Sequence, residues 1–103
     1  MIEYDKEKKQ INIGYCVSWE CTVKRVYEEI SDDYRASIED GDITAEKFPP
    51  KVEELTEDQI DYIMDCITDE LDNQDNYDDT LNVDDAIHKS VEEWVDYYCN
   101  GEI

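Results

Sequence analysis

The chain is poor in the residues on which most catalytic sites depend. Its 103 residues include one histidine, His88, and three scattered glycines. A glycine-rich phosphate-binding loop is excluded, because such a loop needs several glycines within a few positions. His88 has no evident serine or cysteine partner, so nothing in the sequence supports a nucleophile activated by histidine. The many carboxylates fall on predicted solvent faces, whereas a catalytic acid needs a sheltered pocket that shifts its pKa. We therefore predict that the protein is not an enzyme.

Basic residues and long apolar runs are also scarce. Nine lysines and arginines stand against thirty aspartates and glutamates, which gives a net charge of −21. Direct binding to nucleic acid or to an anionic membrane is not expected, because both require excess positive charge. No segment approaches the roughly 18 to 20 apolar residues of a membrane span, and the first residues lack a signal-peptide core. We expect a cytoplasmic protein with a basic partner.

Four cysteines, Cys16, Cys21, Cys66 and Cys99, lie far apart in the chain. Their spacings match no zinc-binding CxxC pattern, and a cytoplasmic location favours reduced thiols. We expect all four to be buried as small apolar residues. The aspartate-rich segment 73–82 has no glycine and no EF-hand frame. The sequence therefore predicts no metal and no cofactor.

Aromatic residues make up for a shortage of aliphatic ones. Leucine, isoleucine, valine and phenylalanine supply 22 of the 103 residues, which is close to the composition of disordered acidic chains. Eight tyrosines and two tryptophans favour a fold, because each can bury on the order of 150–250 Å². The length is typical of a single domain.

The hydrophobic pattern predicts an α+β fold, in which an N-terminal β-hairpin packs on three helices. Apolar residues alternate at Ile2 and Tyr4 and again from Ile11 to Trp19, which is typical of strands. The hairpin should therefore lie within residues 1–19. Apolar residues then recur at helical spacing. We expect the three helices at about residues 22–39, 57–72 and 83–99.

Local signals define the ends of these helices. Thr56 and Gln59 form a capping box at the start of the second helix. Gly41 should end the first helix, and Asn100-Gly101 the third, with left-handed backbone. Phe48, before two prolines, is the expected anchor of the connection between the first two helices. Six Asn or Asp residues in the segment 73–82 predict a loop.

The negative charge is concentrated in the second half of the chain. Residues 1–51 contain twelve acidic and eight basic residues, whereas residues 52–103 contain eighteen acidic residues and only Lys89. Adaptation to salt would spread acids over the whole surface. The asymmetry therefore indicates a dedicated acidic face.

Aspartates recur at helical spacing on the second helix, opposite its apolar stripe. The row comprises Asp58, Asp61, Asp65, Asp69 and Asp72. Successive members stand roughly 4.5 to 6 Å apart along the axis, which is of the same order as the ~3.4 Å phosphate spacing of one DNA strand. Further acids extend the row through the loop (Asp75, Asp78 and Asp79) and along the third helix (Asp84, Asp85, Glu92, Glu93 and Asp96). Tyr62, Tyr77 and Tyr97 could anchor a partner beside them.

Such a row destabilises its own helix. Like charges four residues apart cost about 0.2 to 0.5 kcal/mol per pair, so several such pairs consume a visible fraction of a small domain's stability. Folding alone disfavours this arrangement, which indicates a function in binding. The alternative is a solvated face that serves only solubility.

In these features the chain resembles the small acidic inhibitors encoded by phages, the DNA-mimic anti-CRISPR and antirestriction proteins. The group has unrelated folds, so the resemblance concerns function. It implies a monomer or homodimer, in the cytoplasm of a bacterial host, that blocks the DNA-binding cleft of a Cas effector or a restriction enzyme. Two other classes share the acidic profile, an immunity protein that neutralises a basic toxin nuclease and an adaptor without inhibitory activity.

Overall fold

The computed structural model describes residues 2–14, 16–77 and 82–102. Three short strands are followed by three helices. The strands are β1 (Glu3–Asp5), β2 (Gln10–Asn12) and β3 (Cys16–Ser18), and the helices are α1 (Lys24–Glu39), α2 (Glu57–Tyr77) and α3 (Val83–Cys99). The radius of gyration of the Cα atoms is 14.0 Å, close to the ~13 Å of a compact domain of this length. The α+β prediction is confirmed.

The N-terminal hairpin is in fact a three-stranded antiparallel sheet in the order β1-β2-β3. The single long strand expected from Ile11 to Trp19 is interrupted at Gly14, whose φ of +97° is readily accessible to glycine alone. Ile11 lies opposite Val17 in the ladder, and both side chains are buried. Paired residues point to the same side of a sheet, so the predicted buried face survives although the strand does not.

A π-helical turn, Trp19–Val23, connects the sheet to α1. The Ser18 hydroxyl caps this turn by accepting the Cys21 N–H at 3.0 Å. The helix expected at 22–39 therefore consists of this turn and α1. It ends where predicted, because Gly41 adopts a φ of +81° that terminates the helix with left-handed backbone.

The double-proline connection is anchored by Pro49, not by Phe48. Pro49 is fully buried, whereas Phe48 is among the exposed large hydrophobic residues. Arg35 donates a hydrogen bond to the Pro49 carbonyl, and Tyr27 donates one to the Pro50 carbonyl, both at 2.6 Å. The two prolines lie outside the helices, so their carbonyls have no helical partner. The Arg35 and Tyr27 side chains of α1 satisfy these carbonyls instead.

The capping box at the start of α2 is present. Gln59 N–H donates to the Thr56 hydroxyl at 3.2 Å, and Thr56 N–H donates to the Gln59 side chain at 2.9 Å. The end of α2 differs from the prediction, because the helix continues through Tyr77 instead of ending near residue 72. Gln74 lies three residues after the buried Leu71, is itself partly buried, and accepts the Asn82 N–H at 2.8 Å. These tertiary contacts outweigh the local turn preference of asparagine and aspartate.

The core lies between the sheet and the three helices. It contains the inner stripe of α2 (Ile63, Met64, Ile67 and Leu71) and that of α3 (Ala86, Ile87, Val91, Trp94 and Val95). A chain of aromatic rings links the layers, from Trp19 through Tyr27 and Trp94 to Tyr98, with centroid separations of 6.2, 5.9 and 5.2 Å. These rings supply the buried area that the few aliphatic residues do not.

The cysteines are not all buried. Cys99 lies in the core and Cys66 is half-buried, but Cys16 and Cys21 are exposed. The prediction of four buried thiols is therefore wrong for the two N-terminal residues. All four are free cysteines.

A candidate acidic interaction surface

Four aspartates of α2 form a solvent-facing row, and we call this the α2 row. The row consists of Asp58, Asp65, Asp69 and Asp72, all exposed. They lie opposite the buried stripe because their spacings of seven, four and three residues follow the helical repeat. Within the described residues, no lysine or arginine nitrogen lies within 4.0 Å of any of these four carboxylates. The α2 row is thus open to a cationic partner.

Asp61 was expected in this row, but the structure places it elsewhere. It lies on the edge of α2 that faces the sheet and is only 8% exposed. Its carboxylate accepts hydrogen bonds of 2.6 Å from Lys9 Nζ and from the Tyr4 hydroxyl, and Lys6 Nζ lies 3.8 Å away. Asp61 therefore ties the β1–β2 turn to α2 and is not available to a partner.

The contacts of Asp61 also determine its protonation. Loss of solvent opposes its ionisation, but the hydrogen bonds from Lys9 and Tyr4 outweigh this and lower the pKa of Asp61 below its ordinary value. Conversely, burial and the hydrogen bond to Asp61 raise the pKa of Tyr4. Both shifts favour one state, in which the ionised Asp61 carboxylate accepts a hydrogen bond from the protonated Tyr4 hydroxyl.

Asp65 lies one turn further along α2 and behaves in the opposite way. Partial burial raises its pKa, and the neighbouring carboxylates of Asp61 and Asp69 raise it further. Lys6 counteracts this only in part. Asp65 is therefore repelled by its own helix, as expected for uncompensated like charges four residues apart.

A seam between α2 and α3 brings the acids of the two helices together. The Glu70 carboxylate pairs with Lys89 Nζ at 3.4 Å. Cys66 lies one turn before Glu70 on α2, between this ion pair and Tyr62. Burial raises the pKa of the Cys66 thiol, and the carboxylates of Asp69, Glu93 and Asp65 raise it further. Lower residue numbers on α2 thus lie beside higher residue numbers on α3, so the two helices are antiparallel. Glu93 of α3 and Asp69 of the α2 row thus both act on the Cys66 thiol.

Glu93 also lines a groove of about 450 Å³ between α1 and α3. Four carboxylates line this groove, those of Asp33, Glu92, Glu93 and Asp96, around Ile30, Tyr34, Ser37 and Ile43. Tyr34 donates a 2.7 Å hydrogen bond to Asp96. Burial and this hydrogen bond raise the pKa of Tyr34 to about 12, so the phenol remains a donor near neutral pH.

Asp33 was missed by the sequence analysis. It lies in the first half of the chain, where lysines and arginines nearly balance the acids, so counting charge by halves conceals it. The helical spacing of three residues between Ile30 and Asp33 does place it beside the apolar stripe. We use the name acidic surface for the α2 row together with Glu93, Glu92, Asp96 and Asp33.

The other predicted acids lie outside this surface or outside the described structure. Asp84 and Asp85 are exposed in the first turn of α3, where they stabilise the helix N-terminus, and Asn82 caps that turn by accepting the Asp85 N–H. Asp75 and Tyr77 belong to the last turns of α2, and their side chains are outside the described part of the structure. Asp78 and Asp79 lie outside the described residues.

The two predicted tyrosine anchors with described side chains are both solvent-accessible, Tyr62 to 49% and Tyr97 to 42%. Tyr62 borders a pocket of about 260 Å³ at one end of the seam, lined also by Asp58, Gln59, Trp94 and Tyr98. We call this the aromatic pocket. Large exposed aromatic side chains next to unpaired charge are typical of protein-binding surfaces.

The carboxylates form a surface and not a chelating centre. In the part of the chain that the structure describes, no three histidine, cysteine or acidic side chains converge as metal ligands would. Over the same residues, no helix has both the length and the apolar character required to cross a membrane. Comparison with protein-family models, with curated proteins and with solved structures finds no match to this chain.

Proposed function

We propose that the protein is a DNA-mimic inhibitor that occupies the DNA-binding cleft of a basic protein with its acidic surface. Our first choice of target is a DNA-binding Cas effector, and a restriction enzyme is the second. The observation that carries the proposal is the α2 row, whose four exposed carboxylates have no cation of the described chain beside them. A cleft that holds phosphates with lysine and arginine offers the missing cations.

The dimensions of the α2 row suit this role. Asp58 and Asp72 are separated by fourteen residues, which is about 21 Å along the helix axis. About six phosphates of one DNA strand cover the same length. The groove between α1 and α3 carries four further carboxylates, those of Asp33, Glu92, Glu93 and Asp96, so the negative charge is not confined to one helix.

The energetics of Asp65 support a function in binding over a role in solubility alone. Partial burial raises its pKa and the charges of Asp61 and Asp69 raise it further, so ionised Asp65 costs folding free energy. Solubility needs net charge but not this alignment. A basic partner relieves the repulsion when it binds, and a net charge of −21 accelerates its association at low salt.

The test combines capture with DNA displacement. The immobilised protein is incubated with bacterial lysate at low salt, and the proteins that elute at high salt are identified. Each is then titrated with fluorescent duplex DNA in the presence and absence of the protein. We expect a Cas effector or restriction enzyme that loses its DNA as the protein is added.

A matched pair of variants links this result to the α2 row. Asp65, Asp69 and Asp72 are replaced together by Asn in the first variant, and exposed Glu7, Glu29 and Glu39 by Gln in the second. Both variants remove three negative charges, but only the first changes the row. We expect the row variant to inhibit at least about tenfold less well, since each lost charge pair at an interface weakens binding, and the control to inhibit nearly as the wild type.

Any of three results would contradict the proposal. Captured proteins could bind DNA equally well with and without the protein, which would indicate an adaptor. The two variants could also lose inhibition to the same extent, which would assign the effect to net charge. Capture of a toxin nuclease whose activity is blocked without loss of DNA binding would identify an immunity protein instead.

A further inference from the structure

We propose that the aromatic pocket binds the guanidinium group of an arginine side chain of the partner protein. The proposal rests on the proposed function for the identity of the partner, and it adds the side chain that is recognised. In this site the exposed ring of Tyr62 stacks on the cation, Asp58 pairs with its charge, and Trp94 and Tyr98 form the wall of the pocket.

The pocket has the composition of a cation site. Three of its five lining residues are aromatic, one is the carboxylate of Asp58, and Gln59 completes the rim. None of them is basic, and Asp58 has no cation within 4.0 Å in the described part of the chain. The face of the exposed Tyr62 ring carries negative potential, so Tyr62 and Asp58 both attract a positive group.

The chain itself provides a precedent for this chemistry at a ring of the pocket wall. Lys47 Nζ lies 4.0 Å from the centroid of the Tyr98 ring, within the range of a cation–π contact. Lys47 does not line the pocket, but it covers one face of Tyr98 while Trp94 covers the other, so Tyr62 is the ring that offers a face to a second cation. Tyr98 is in turn stacked on Trp94 with an interplanar angle of 19°, and Trp94 is almost fully buried. The wall of the pocket is therefore fixed by the core.

Arginine fits the pocket better than the alternatives. A volume of about 260 Å³ is below that of most drug-sized sites and suits one side chain. An apolar side chain would strip water from Asp58 without replacing it. Lysine would satisfy the charge, but its ammonium group is strongly hydrated and not planar. The guanidinium group is planar and weakly hydrated, so it can stack on the Tyr62 ring and donate two hydrogen bonds to a carboxylate.

The position of the pocket gives the arginine a role in alignment. Asp58 belongs both to the pocket and to the α2 row, so the pocket lies at the N-terminal end of that row. Pure charge attraction tolerates sliding of one surface along another. A side chain inserted at the end of the row fixes the register of the partner against the remaining acids.

The test uses peptides and needs no target protein. Hexa-arginine and hexa-lysine are titrated into the full chain at moderate salt, with the indole N–H signal of Trp94 and the heat of binding as readouts. We expect hexa-arginine to bind about tenfold more tightly than hexa-lysine, because stacking adds to the charge attraction, and to shift the Trp94 signal.

Matched variants assign this preference to the pocket. Tyr62→Ala is expected to weaken hexa-arginine binding about fivefold, the size of one cation–π contact, and to leave hexa-lysine binding nearly unchanged. Phe48→Ala removes a similarly exposed aromatic ring outside the pocket and should change neither. Asp58→Asn should weaken hexa-arginine binding more than Asp72→Asn does, although both remove one charge of the same row. Circular dichroism confirms that each exposed substitution leaves the fold intact.

Equal affinity for the two peptides would overturn the proposal, as would equal losses in the Tyr62 and Phe48 variants. These outcomes are separate from failure of the proposed function. If hexa-arginine binds at the pocket but captured proteins keep their DNA, the arginine site stands and the DNA-mimic function fails. If DNA is displaced but the peptides are not distinguished, the reverse holds.

Discussion

Asp61 and Asp65 are one helical turn apart on α2, yet their carboxylates have opposite surroundings. Asp61 accepts hydrogen bonds from Lys9 and Tyr4, and its pKa is lowered. Asp65 is largely exposed, beside other aspartates. Its partial burial, together with the charges of Asp61 and Asp69, raises its pKa. The first carboxylate stabilises the fold when it is ionised, and the second destabilises it.

The comparison separates structural acids from acids available for binding. A row of aspartates on a helical wheel contains both kinds, and the sequence gives them equal weight. What distinguishes them is whether the rest of the chain supplies a cation. On the sheet-facing edge of α2 it supplies Lys9 and Lys6, whereas on the outer face the described residues supply none.

The largest effect should come from removing the hydrogen bonds that Asp61 accepts from Lys9 and Tyr4 on the sheet-facing edge of α2. Asp61→Ala leaves Lys9 Nζ and the Tyr4 hydroxyl without their acceptor, so we expect a loss of about 2 to 3 kcal/mol in the free energy of unfolding. Urea denaturation followed by circular dichroism measures it. A stability equal to wild type would show that this contact contributes nothing.

A second test sharpens the comparison by pH. Asp61 has a lowered pKa, so its contribution is present above the ordinary aspartate value of 3.8 and is lost as the pH falls below it. Asp65 has a raised pKa, so its penalty is absent below 3.8 and grows as the pH rises through its folded value. We therefore expect stability to increase from pH 7 to about pH 4 and to decrease below that.

The two aspartates can be separated by repeating the pH series on Asn variants. Asp65→Asn should flatten the rise between pH 7 and pH 4, whereas Asp61→Asn should flatten the fall below pH 4. Urea midpoints at each pH give the curves. The interpretation fails if both variants change the same limb.

A smaller gain is expected from Asp65→Asn at neutral pH. Removing its repulsion from Asp69 should raise the free energy of unfolding by about 0.5 kcal/mol. The gain should shrink at 0.5 M NaCl, because salt screens exposed charges. Glu29→Gln on α1 is the control, an exposed carboxylate outside the acidic surface, and should change stability less. A loss of stability in Asp65→Asn would mean that Asp65 has a structural partner after all.

The sequence predicted the features of this molecule that depend on neighbouring residues. The Thr56 capping box, the end of α1 at Gly41 and the buried stripe of α2 all follow from spacing along one helix. It did not predict the contact between Asp61 and Lys9, because those residues are 52 positions apart and meet only when the β1–β2 turn packs on α2. Asp33 was missed for the same reason, since only the packing of α1 on α3 brings it to Glu92 and Asp96.

The smallest expected effect tests whether carboxylates of α2 act on the Cys66 thiol, which lies between α2 and α3. Cys66 is half-buried between them, and after burial the carboxylates of Asp69, Glu93 and Asp65 raise the pKa of its thiol. A neutral disulfide reagent should therefore modify Cys66 faster than an anionic one, which the same carboxylates repel. The ratio of the two rates should fall about two- to threefold in Asp69→Asn, since one charge at this distance is partly screened by water. Exposed Cys21 in the same molecule is the reference thiol. An unchanged ratio at Cys66 would mean that Asp69 does not act on this thiol, so Cys66 would not link the α2 row to Glu93.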